Sequence, residues 1–265
     1  MTRPVDEVEK LTPHESIIQL ESCTVSFDGF KAMNNLTFYV EVGELRVVIG
    51  PNGAGKTTLI DVISGKVKPT HGRVIFAHDT DLSMLRDYEI SNLGIGRKFQ
   101  TPTTFEKHTV RENLELSLKG RRSVWSTLFS KLDAQDREKI DATLERVGLR
   151  DRAGWKAGLL SHGQKQWLEI GMLIMQDPKL LLLDEPVAGM SDEETAKTGD
   201  LIRSIAKDRS VMVVEHDMEF VRGLNSKVTV LHEGSILCEG SMDKVQNDPR
   251  VIEVYLGRDS AKGHA

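Results

Sequence analysis

A loop of eight residues, 50–57, carries the side chains best suited to chemistry in this 265-residue chain. It matches the pattern Gly-x-x-x-x-Gly-Lys-Ser/Thr at every fixed position, with the residues Gly50, Pro51, Asn52, Gly53, Ala54, Gly55, Lys56 and Thr57. Glycines let backbone N–H groups converge on an anion without Cβ clashes, and a helix beginning at the loop directs its positive end there. The loop predicts a phosphate-binding site.

The last residues of this loop define the expected ligand more closely. Lys56 would neutralise the β- and γ-phosphates of ATP, and the Thr57 hydroxyl would bind Mg²⁺, with Thr58 beside them as a further nucleotide-binding candidate. An ordinary glycine-rich turn has a similar composition. However, residues 45–49 before the loop are strand-like and residues 58–63 after it show helical apolar spacing. This order of strand, loop and helix favours the nucleotide site.

An acidic pair, Asp184 and Glu185, follows the apolar run 180–183. Such a run predicts a buried strand, and ligands of open α/β sheets bind at the carboxyl ends of strands. Asp184 would hold Mg²⁺ through its water shell, and Glu185 would polarise a water for attack on the γ-phosphate. Two acidic residues that merely close a strand are the alternative, and the presence of the phosphate loop favours catalysis.

The segment 160–164 reads Leu-Ser-His-Gly-Gln and precedes a stretch with helical apolar spacing. Ser161 and Gln164 have the spacing of a capping box, which predicts that a helix begins here. A helix start with a serine hydroxyl and a nearby glycine, Gly163, is also a potential anion site.

Composition excludes several classes of protein. A formal net charge of −5 argues against a general affinity for nucleic acid, and a local basic pair such as Arg121 and Arg122 is explained by a solvated surface. Cys23 and Cys238 show no metal-binding spacing, which favours buried, reduced thiols. The first ten residues lack the apolar core of a secretory signal, and no segment approaches the ~20 apolar residues of a membrane span. We therefore expect a soluble, intracellular protein that reaches a membrane only through other subunits.

The elements that must position these residues follow an α/β pattern. Residues 1–16 are charged and proline-containing and predict a flexible arm, and 17–265 form a single domain. Residues 17–27 and 36–49 read as strands with turns at 28–29 and 41–43, and 192–207 reads as a helix capped by Ser191. Further strands are predicted at 72–76, 180–183, 211–214, 227–231 and 235–239. Helical spacing in 110–119, 124–132, 136–147 and 164–175 predicts a helical subdomain, 101–177, inserted into a core of 17–100 and 178–265.

The segment 160–164 resembles the LSGGQ signature of the ABC ATPases, and the other parts of that family occur in its order across residues 17–256. The resemblance implies a P-loop NTPase core, with a mostly parallel sheet and an antiparallel β portion. It also implies roles for further residues: Gln100 would contact Mg²⁺ or the attacking water, and His216 would hold the γ-phosphate. Ser161 and Gly163, with Gln164, would contact the γ-phosphate bound to the opposite subunit, and Phe27 would stack on adenine. Phe27 as a core residue, Gln100 as a surface amide and His216 as a strand-end histidine are the plainer alternatives.

Two positions depart from the family's pattern. His162 replaces the usual second glycine of the signature, and Ser191 occupies the place where many relatives carry an aspartate in the loop after Pro186. The first leaves Ser161 and Gly163 intact, so contact with the opposite nucleotide is still expected. The second puts the usual cross-subunit contacts of that loop in doubt.

Within the family, residues 25–32 and 248–257 look like the ATPases of branched-chain amino acid (LIV-type) importers. Residues 161–172 and 186–190 are more similar to the urea importer branch, so urea is the expected solute and branched-chain amino acids or other amide-like solutes are the alternative. The resemblance implies two permease subunits, a second ATPase chain or a second copy, and an extracytoplasmic solute-binding protein. It also implies a position on the inner face of the cell membrane.

Two other classes fit less well. An ABC ATPase that acts on DNA would place a long coiled coil between the phosphate loop and the signature, and one that acts on ribosomes usually carries two cassettes. A noncatalytic nucleotide-binding module is disfavoured because Glu185 and His216 are both retained.

Overall fold

The computed structural model of the chain describes Thr12 and residues 15–98, 104–118 and 133–261, with side chains to Tyr255. Its strands are β1 (Ser16–Phe27), β2 (Phe30–Glu41), β3 (Leu45–Ile49), β4 (His71–Phe76), β5 (Thr80–Asp81), β6 (Ile95–Lys98), β7 (Leu180–Asp184), β8 (Ser210–Val214), β9 (Lys227–His232) and β10 (Ser235–Gly240). Its α-helices are α1 (Lys56–Ile63), α2 (Asp87–Leu93), α3 (Val110–Leu116), α4 (Ala134–Arg146), α5 (His162–Met175), α6 (Asp192–Ile205), α7 (Met218–Leu224), α8 (Met242–Gln246) and α9 (Pro249–Ala261).

A six-stranded sheet in the order β10-β9-β3-β8-β7-β6 forms the centre of the molecule. Strands β9, β3, β8, β7 and β6 pair in parallel, and β10 is antiparallel to β9. Because parallel strands end at the same edge of a sheet, the residues after β3, β7 and β8 share one edge. The phosphate loop, the acidic pair and His216 follow those three strands.

Both faces of this sheet are covered, which explains the unbroken apolar runs of its strands. In β7, Leu181 and Leu183 pack into a cluster that includes helices α3 to α7, whereas Leu180 and Leu182 pack into a second cluster with α1 and strands β1, β2 and β4. The first cluster contains residues of both the predicted core and the predicted helical insertion. The division at residues 101 and 177 therefore stays a prediction.

A second sheet, β2-β1-β4-β5, is antiparallel and corrects one sequence prediction. The sequence predicts that strand residues begin at 36 and are interrupted by a turn at 41–43. The structure confirms the turn between β2 and β3, but β2 begins six residues earlier, at Phe30. The start of β2 was not predicted because two asparagines, Asn34 and Asn35, are uncommon in strands. Asn35 adopts a left-handed φ of 49° within the strand. Its backbone N–H donates to Thr24 Oγ1 at 3.0 Å, which ties this irregularity to β1.

Most predicted helices are present with shifted ends. The predicted helices 110–119, 136–147 and 164–175 correspond to α3, α4 and α5, while 124–132 lies outside the described residues, as does most of the predicted arm 1–16. Helices α2 and α7, seven residues each, were not predicted, because such short segments carry little periodicity. In the part of the chain that the structure describes, no helix combines the length and apolar character needed to cross a membrane. Cys23 and Cys238 are both buried.

Candidate functional site

The phosphate loop connects β3 to α1 and its glycines are required by shape. Gly55 is the N-cap of α1 with a φ of 102°, and a Cβ there would lie 2.5 Å from the backbone oxygen of Ala32 on β2. Gly50 has a φ of 156°, and a Cβ there would lie 2.3 Å from the backbone oxygen of Leu231. The loop is thus held between β2 and the end of β9 where only glycine fits.

Lys56 begins α1 and is 8% exposed. Its Nζ donates to the carbonyl oxygens of Gly50 at 2.6 Å and Pro51 at 3.2 Å, so the loop wraps around the ammonium group. Asn52, Gly53 and Thr57 are exposed, and Ala54 is buried. A buried cation surrounded by a glycine loop at a helix N-terminus is an arrangement suited to a phosphate.

The acidic pair occupies the end of β7, as predicted. Asp184 is 1% exposed, and its Oδ2 lies 3.7 Å from Nη2 of Arg97 on β6. Nη1 of Arg97 also donates to Asp61 Oδ1 at 2.6 Å and to Ser64 Oγ at 2.8 Å. Burial raises the pKa of Asp184, and the charge of Arg97 opposes that rise. One arginine therefore joins this carboxylate to helix α1.

Glu185 has a left-handed backbone, with a φ of 46°. This conformation is rare for residues other than glycine and costs on the order of 1–3 kcal/mol. It is held by a hydrogen bond from the Glu185 N–H to the carbonyl of Val214 at 2.9 Å. The side chain is about one-third exposed, and its Oε1 lies 3.4 Å from Nδ1 of His216. The structure thus brings two of the predicted catalytic residues together at the sheet edge.

Glu215, beside His216, was not singled out from the sequence. Its buried carboxylate accepts N–H bonds from His216 at 2.9 Å, Val187 at 3.3 Å and Asp217 at 3.5 Å. It therefore joins the loop after β7 to the loop after β8. Burial raises the pKa of Glu215, and these backbone donors oppose the rise.

The signature segment forms the predicted capping box at the start of α5. Ser161 Oγ accepts from the N–H of Gln164 at 3.3 Å, and Gln164 Oε1 accepts from the N–H of Ser161 at 3.0 Å and from Arg152. His162, one of the two departures from the family pattern, places Nε2 3.1 Å from the carbonyl oxygen of Ala188. The signature thus contacts the loop that follows Glu185 in the same chain.

The second departure, Ser191, caps α6 in a capping box with Glu194, as predicted. Glu194 also reaches the signature, since Ser161 Oγ donates to Glu194 Oε1 at 3.0 Å. Local spacing could not predict the contact between Glu194 and Ser161, because the two residues are 33 positions apart.

Two remaining candidates have different outcomes. Phe27 ends β1 and is 49% exposed, which excludes the alternative of a core residue. It pairs with Phe30, which is 64% exposed and was missed by the sequence analysis. The hairpin that carries both rings leads into β2, whose Ala32 lies against the phosphate loop. Gln100 lies outside the described residues, so its role stays a prediction.

The donor set suits Mg²⁺ in part. Asp184 Oδ1 is buried and accepts no hydrogen bond from the described residues, which leaves a carboxylate oxygen suited to a hard cation or its water shell. The described residues hold no group of three or more His, Cys, Asp or Glu side chains that would bind a metal by themselves. Such a sparse set fits Mg²⁺, which usually keeps several waters and uses substrate phosphates as ligands.

Two protein-family models match the chain. The model described as ABC transporter matches residues 33–188, which include the phosphate loop, the signature and the acidic pair. The model described as branched-chain amino acid ATP-binding cassette transporter matches residues 235–261. The second match confirms the resemblance that residues 248–257 showed to LIV-type importers.

Curated relatives match nearly the whole chain. The high-affinity branched-chain amino acid transport ATP-binding protein LivG of Escherichia coli is 31% identical over 252 residues, which cover 92% of this chain and 98% of LivG. The probable branched-chain amino acid transport ATP-binding protein LivG of Archaeoglobus fulgidus is 36% identical over 247 residues, which cover 91% and 95%.

The fold is similar to that of MJ1267, an ATP-binding cassette of an ABC transporter. Its structure superposes with a TM-score of 0.79 at 32% identity, covering 91% of this chain and 99% of MJ1267. Its ADP conformation gives a TM-score of 0.78 at 32% identity, covering 92% and 99%. The predicted fold class is confirmed. Nothing in these matches points to urea, so the alternative solute class is better supported than our first expectation.

Proposed function

The chain belongs to the ATP-binding subunits of ABC transporters, within the LIV-type family of branched-chain amino acid importers, and is an ATPase; on that premise we propose that it powers the uptake of branched-chain amino acids. The observation that carries the solute class is the match of residues 235–261 to the branched-chain amino acid cassette model. Both LivG relatives are named for the same solutes. Urea, the first expectation, rests only on the likeness of residues 161–172 and 186–190.

In the proposed cycle, the phosphate loop binds ATP. Lys56 exchanges its contacts with the carbonyls of Gly50 and Pro51 for the β- and γ-phosphates, and the N–H groups of the loop and of the first turn of α1, including Thr58, bind phosphate oxygens. Phe27 at the tip of the β1–β2 hairpin stacks on the adenine. These residues provide binding and orientation.

Glu185 is the proposed general base. Its carboxylate is one-third exposed at the sheet edge, where it would accept a proton from the water that attacks the γ-phosphate. His216, whose Nδ1 is 3.4 Å from Glu185 Oε1, would hold the γ-phosphate and orient the base. The hydrogen bond from the Glu185 N–H to Val214 holds the backbone that carries this carboxylate at the sheet edge, which would help to orient it toward the water.

Thr57, Asp184 and Gln100 would hold Mg²⁺ in this proposal. When bound, the ion neutralises charge on the β- and γ-phosphates. The unpartnered Oδ1 of Asp184 supports its part in this set, and Arg97 fixes the other carboxylate oxygen from the side of β6.

The proposal also includes assembly. Ser161, Gly163 and Gln164 would complete the ATP site of a second subunit, which is either another copy or a related ATPase chain. Dimer closure would be transmitted through the Gln100 region and helices α3 to α5 to two permease subunits at the inner face of the membrane. A solute-binding protein would deliver the amino acid to the permeases from the other side.

Uptake in a strain deleted for this chain tests the solute. Restoring the chain should restore uptake of labelled leucine, isoleucine and valine, E185Q should not, and E193Q should, because Glu193 is an exposed residue of α6 outside the site. Restored urea uptake with unchanged leucine uptake would overturn the branched-chain proposal in favour of urea.

A further inference from the structure

A carboxylate from this same chain lies on the signature motif. Glu194, the third residue of α6, reaches across to the start of α5, and its Oε1 accepts the hydrogen bond of Ser161 Oγ at 3.0 Å. The same carboxylate covers Gly163, where an ideal Cβ would lie 2.6 Å from Glu194 Cδ and Oε1 and 2.9 Å from Oε2. The Glu194 carboxylate thus contacts Ser161 and lies against Gly163, the two residues that are expected to contact the γ-phosphate of the opposite subunit.

This contact is fixed from the side of α6. Glu194 Oε2 accepts from the N–H of Ser191 at 3.2 Å, and the N–H of Glu194 donates to Ser191 Oγ at 3.3 Å. Helix α5 has no acidic residue in its own first turn, so its positive N-terminal end is compensated by an anion from a neighbouring helix. The Glu194 carboxylate therefore completes the capping box of α6 and also places a negative charge at the N-terminus of α5.

The hydrogen-bonding capacity of Ser161 makes this arrangement a competition. A serine hydroxyl has a single proton to donate, and here that proton is directed to Glu194. A γ-phosphate oxygen bound by Ser161 needs the same proton, and it would add negative charge within a few ångströms of the Glu194 carboxylate. Ser161 therefore cannot donate to Glu194 and to a γ-phosphate oxygen at the same time.

We propose that Glu194 is a positioning residue of the signature motif, whose carboxylate competes with the γ-phosphate of the opposite subunit's ATP for the Ser161 hydroxyl. This inference rests on the proposed function, because it needs a dimer that closes around ATP. Glu194 holds Ser161 in the separate subunit and must release it before closure. It thereby sets the ATP concentration at which the dimer forms.

The test measures ATP-driven dimerisation in a chain that carries E185Q, so that hydrolysis does not reopen the dimer. E194Q removes the charge but keeps a side chain that can complete the capping box of α6. E193Q is the matched control, since it removes the same charge one residue away, where Glu193 pairs with Lys197 on the exposed face of α6. The readout is the Mg-ATP concentration that gives half-maximal dimer by gel filtration with light scattering.

We expect E194Q to lower this concentration about tenfold, which corresponds to ~1.4 kcal/mol, and E193Q to change it less than about twofold. Since the competition includes charge repulsion, the effect of E194Q should shrink from 0.1 M to 1 M salt, as the screening length falls from about 10 Å to about 3 Å. ADP has no γ-phosphate, so its affinity for the monomer should be equal in the E194Q and E193Q variants. A purely structural role would not produce this pattern.

The outcomes separate the inference from the proposed function. Equal ATP concentrations for E194Q and E193Q, or weaker dimerisation by E194Q, would overturn the inference while leaving the ATP-driven dimer intact. If the E185Q chain stays monomeric in Mg-ATP, closure of this chain around ATP is wrong and the inference falls with it. If E194Q does not fold, E194D serves instead: it keeps the charge but withdraws it from Ser161 by one methylene, and it should lower the ATP concentration by a smaller factor.

Discussion

At the scale of single residues, the end of β7 places two carboxylates next to each other in different environments. Asp184 is buried and paired with Arg97, whereas Glu185 is partly exposed beside His216. A metal-binding carboxylate needs to stay fixed, and a general base needs access to water. One dipeptide thus provides the two environments that the proposed roles of Asp184 and Glu185 require.

The first prediction concerns this base. E185Q should reduce ATP turnover by about 10²–10⁴-fold, because an amide cannot accept the proton of the attacking water. ATP binding should be retained, and gel filtration in Mg-ATP should show a trapped dimer. Phosphate release and the binding of a fluorescent ATP analogue measure the two effects, with E193Q as the control for loss of an acidic residue. Turnover at the wild-type rate in E185Q would show that Glu185 is not the base.

A second prediction concerns pH. Because burial raises the pKa of Glu215 in the folded chain, the folded state binds more protons than the unfolded state above the ordinary glutamate pKa of about 4.3. Stability from this group is therefore present at acid pH and is lost as pH rises through the raised pKa. E215Q should remove this decline. The free energy of unfolding of E215Q minus that of the wild type should therefore increase as pH rises.

Urea unfolding at a series of pH values from 4.5 upward measures this difference. E219Q is the control, because Glu219 is an exposed glutamate of α7. A parallel pH dependence of wild type and E215Q would contradict the assignment.

At the scale of elements, the site is made where strands stop and loops begin. The phosphate loop, the Glu185 loop and the His216 loop leave the adjacent strands β3, β7 and β8, with β8 in the middle. Glu215 connects the last two loops, and β2 supports the first. The sheet thus fixes the spacing of the loops, and a few buried side chains fix their orientation.

The third prediction separates backbone strain from close packing in the phosphate loop. Gly53 and Gly55 both have a positive φ, 82° and 102°, but only Gly55 has backbone within contact of a new Cβ. G53A should cost about 1–2 kcal/mol from strain alone. G55A should cost about 3 kcal/mol or more, because Ala32 on β2 must also move. Urea unfolding measures both values, and ATP affinity should fall further in G55A. Equal losses would contradict the close approach of β2.

Local sequence was sufficient for the elements with strong patterns and for the named motifs. The apolar runs predicted β7 and β8, and spacing predicted the capping boxes at Ser161 and Ser191. It failed where a contact joins distant positions. Arg97 on β6 donates to Asp61 on α1, 36 positions away, and nothing in either segment alone indicates the pair. Glu215 was missed because an acidic residue at a strand end usually indicates a surface.

At the scale of the whole molecule, the signature lies on a different part of the chain from the phosphate loop, and the proposed site needs two subunits. The fourth prediction follows. A chain with K56A should lose ATP binding at its phosphate loop but keep an intact signature. A chain with S161A should keep an intact phosphate loop but have a defective signature. Each should be inactive alone, while a mixture should regain ATPase activity, because a mixed dimer contains one intact site.

Phosphate release over a range of mixing ratios measures this complementation. The control is a mixture of K56A with E185Q. In that mixed dimer, the site on the K56A chain lacks the lysine and the site on the E185Q chain lacks the base, so neither site is complete. Activity of the mixture that only equals the sum of its components would contradict a site shared between subunits.

The contact between His162 and the carbonyl of Ala188 has a further consequence for such a dimer. In the proposed dimer, each chain would contribute its base to one ATP and its signature to the other, and this contact joins the two segments three residues after Glu185. A rearrangement around the ATP at one base would therefore be passed to the opposite ATP along a single polypeptide. We therefore predict that communication between the two hydrolysis events depends on the subunit's own fold, and that cooperativity in ATP turnover persists when the permeases are removed.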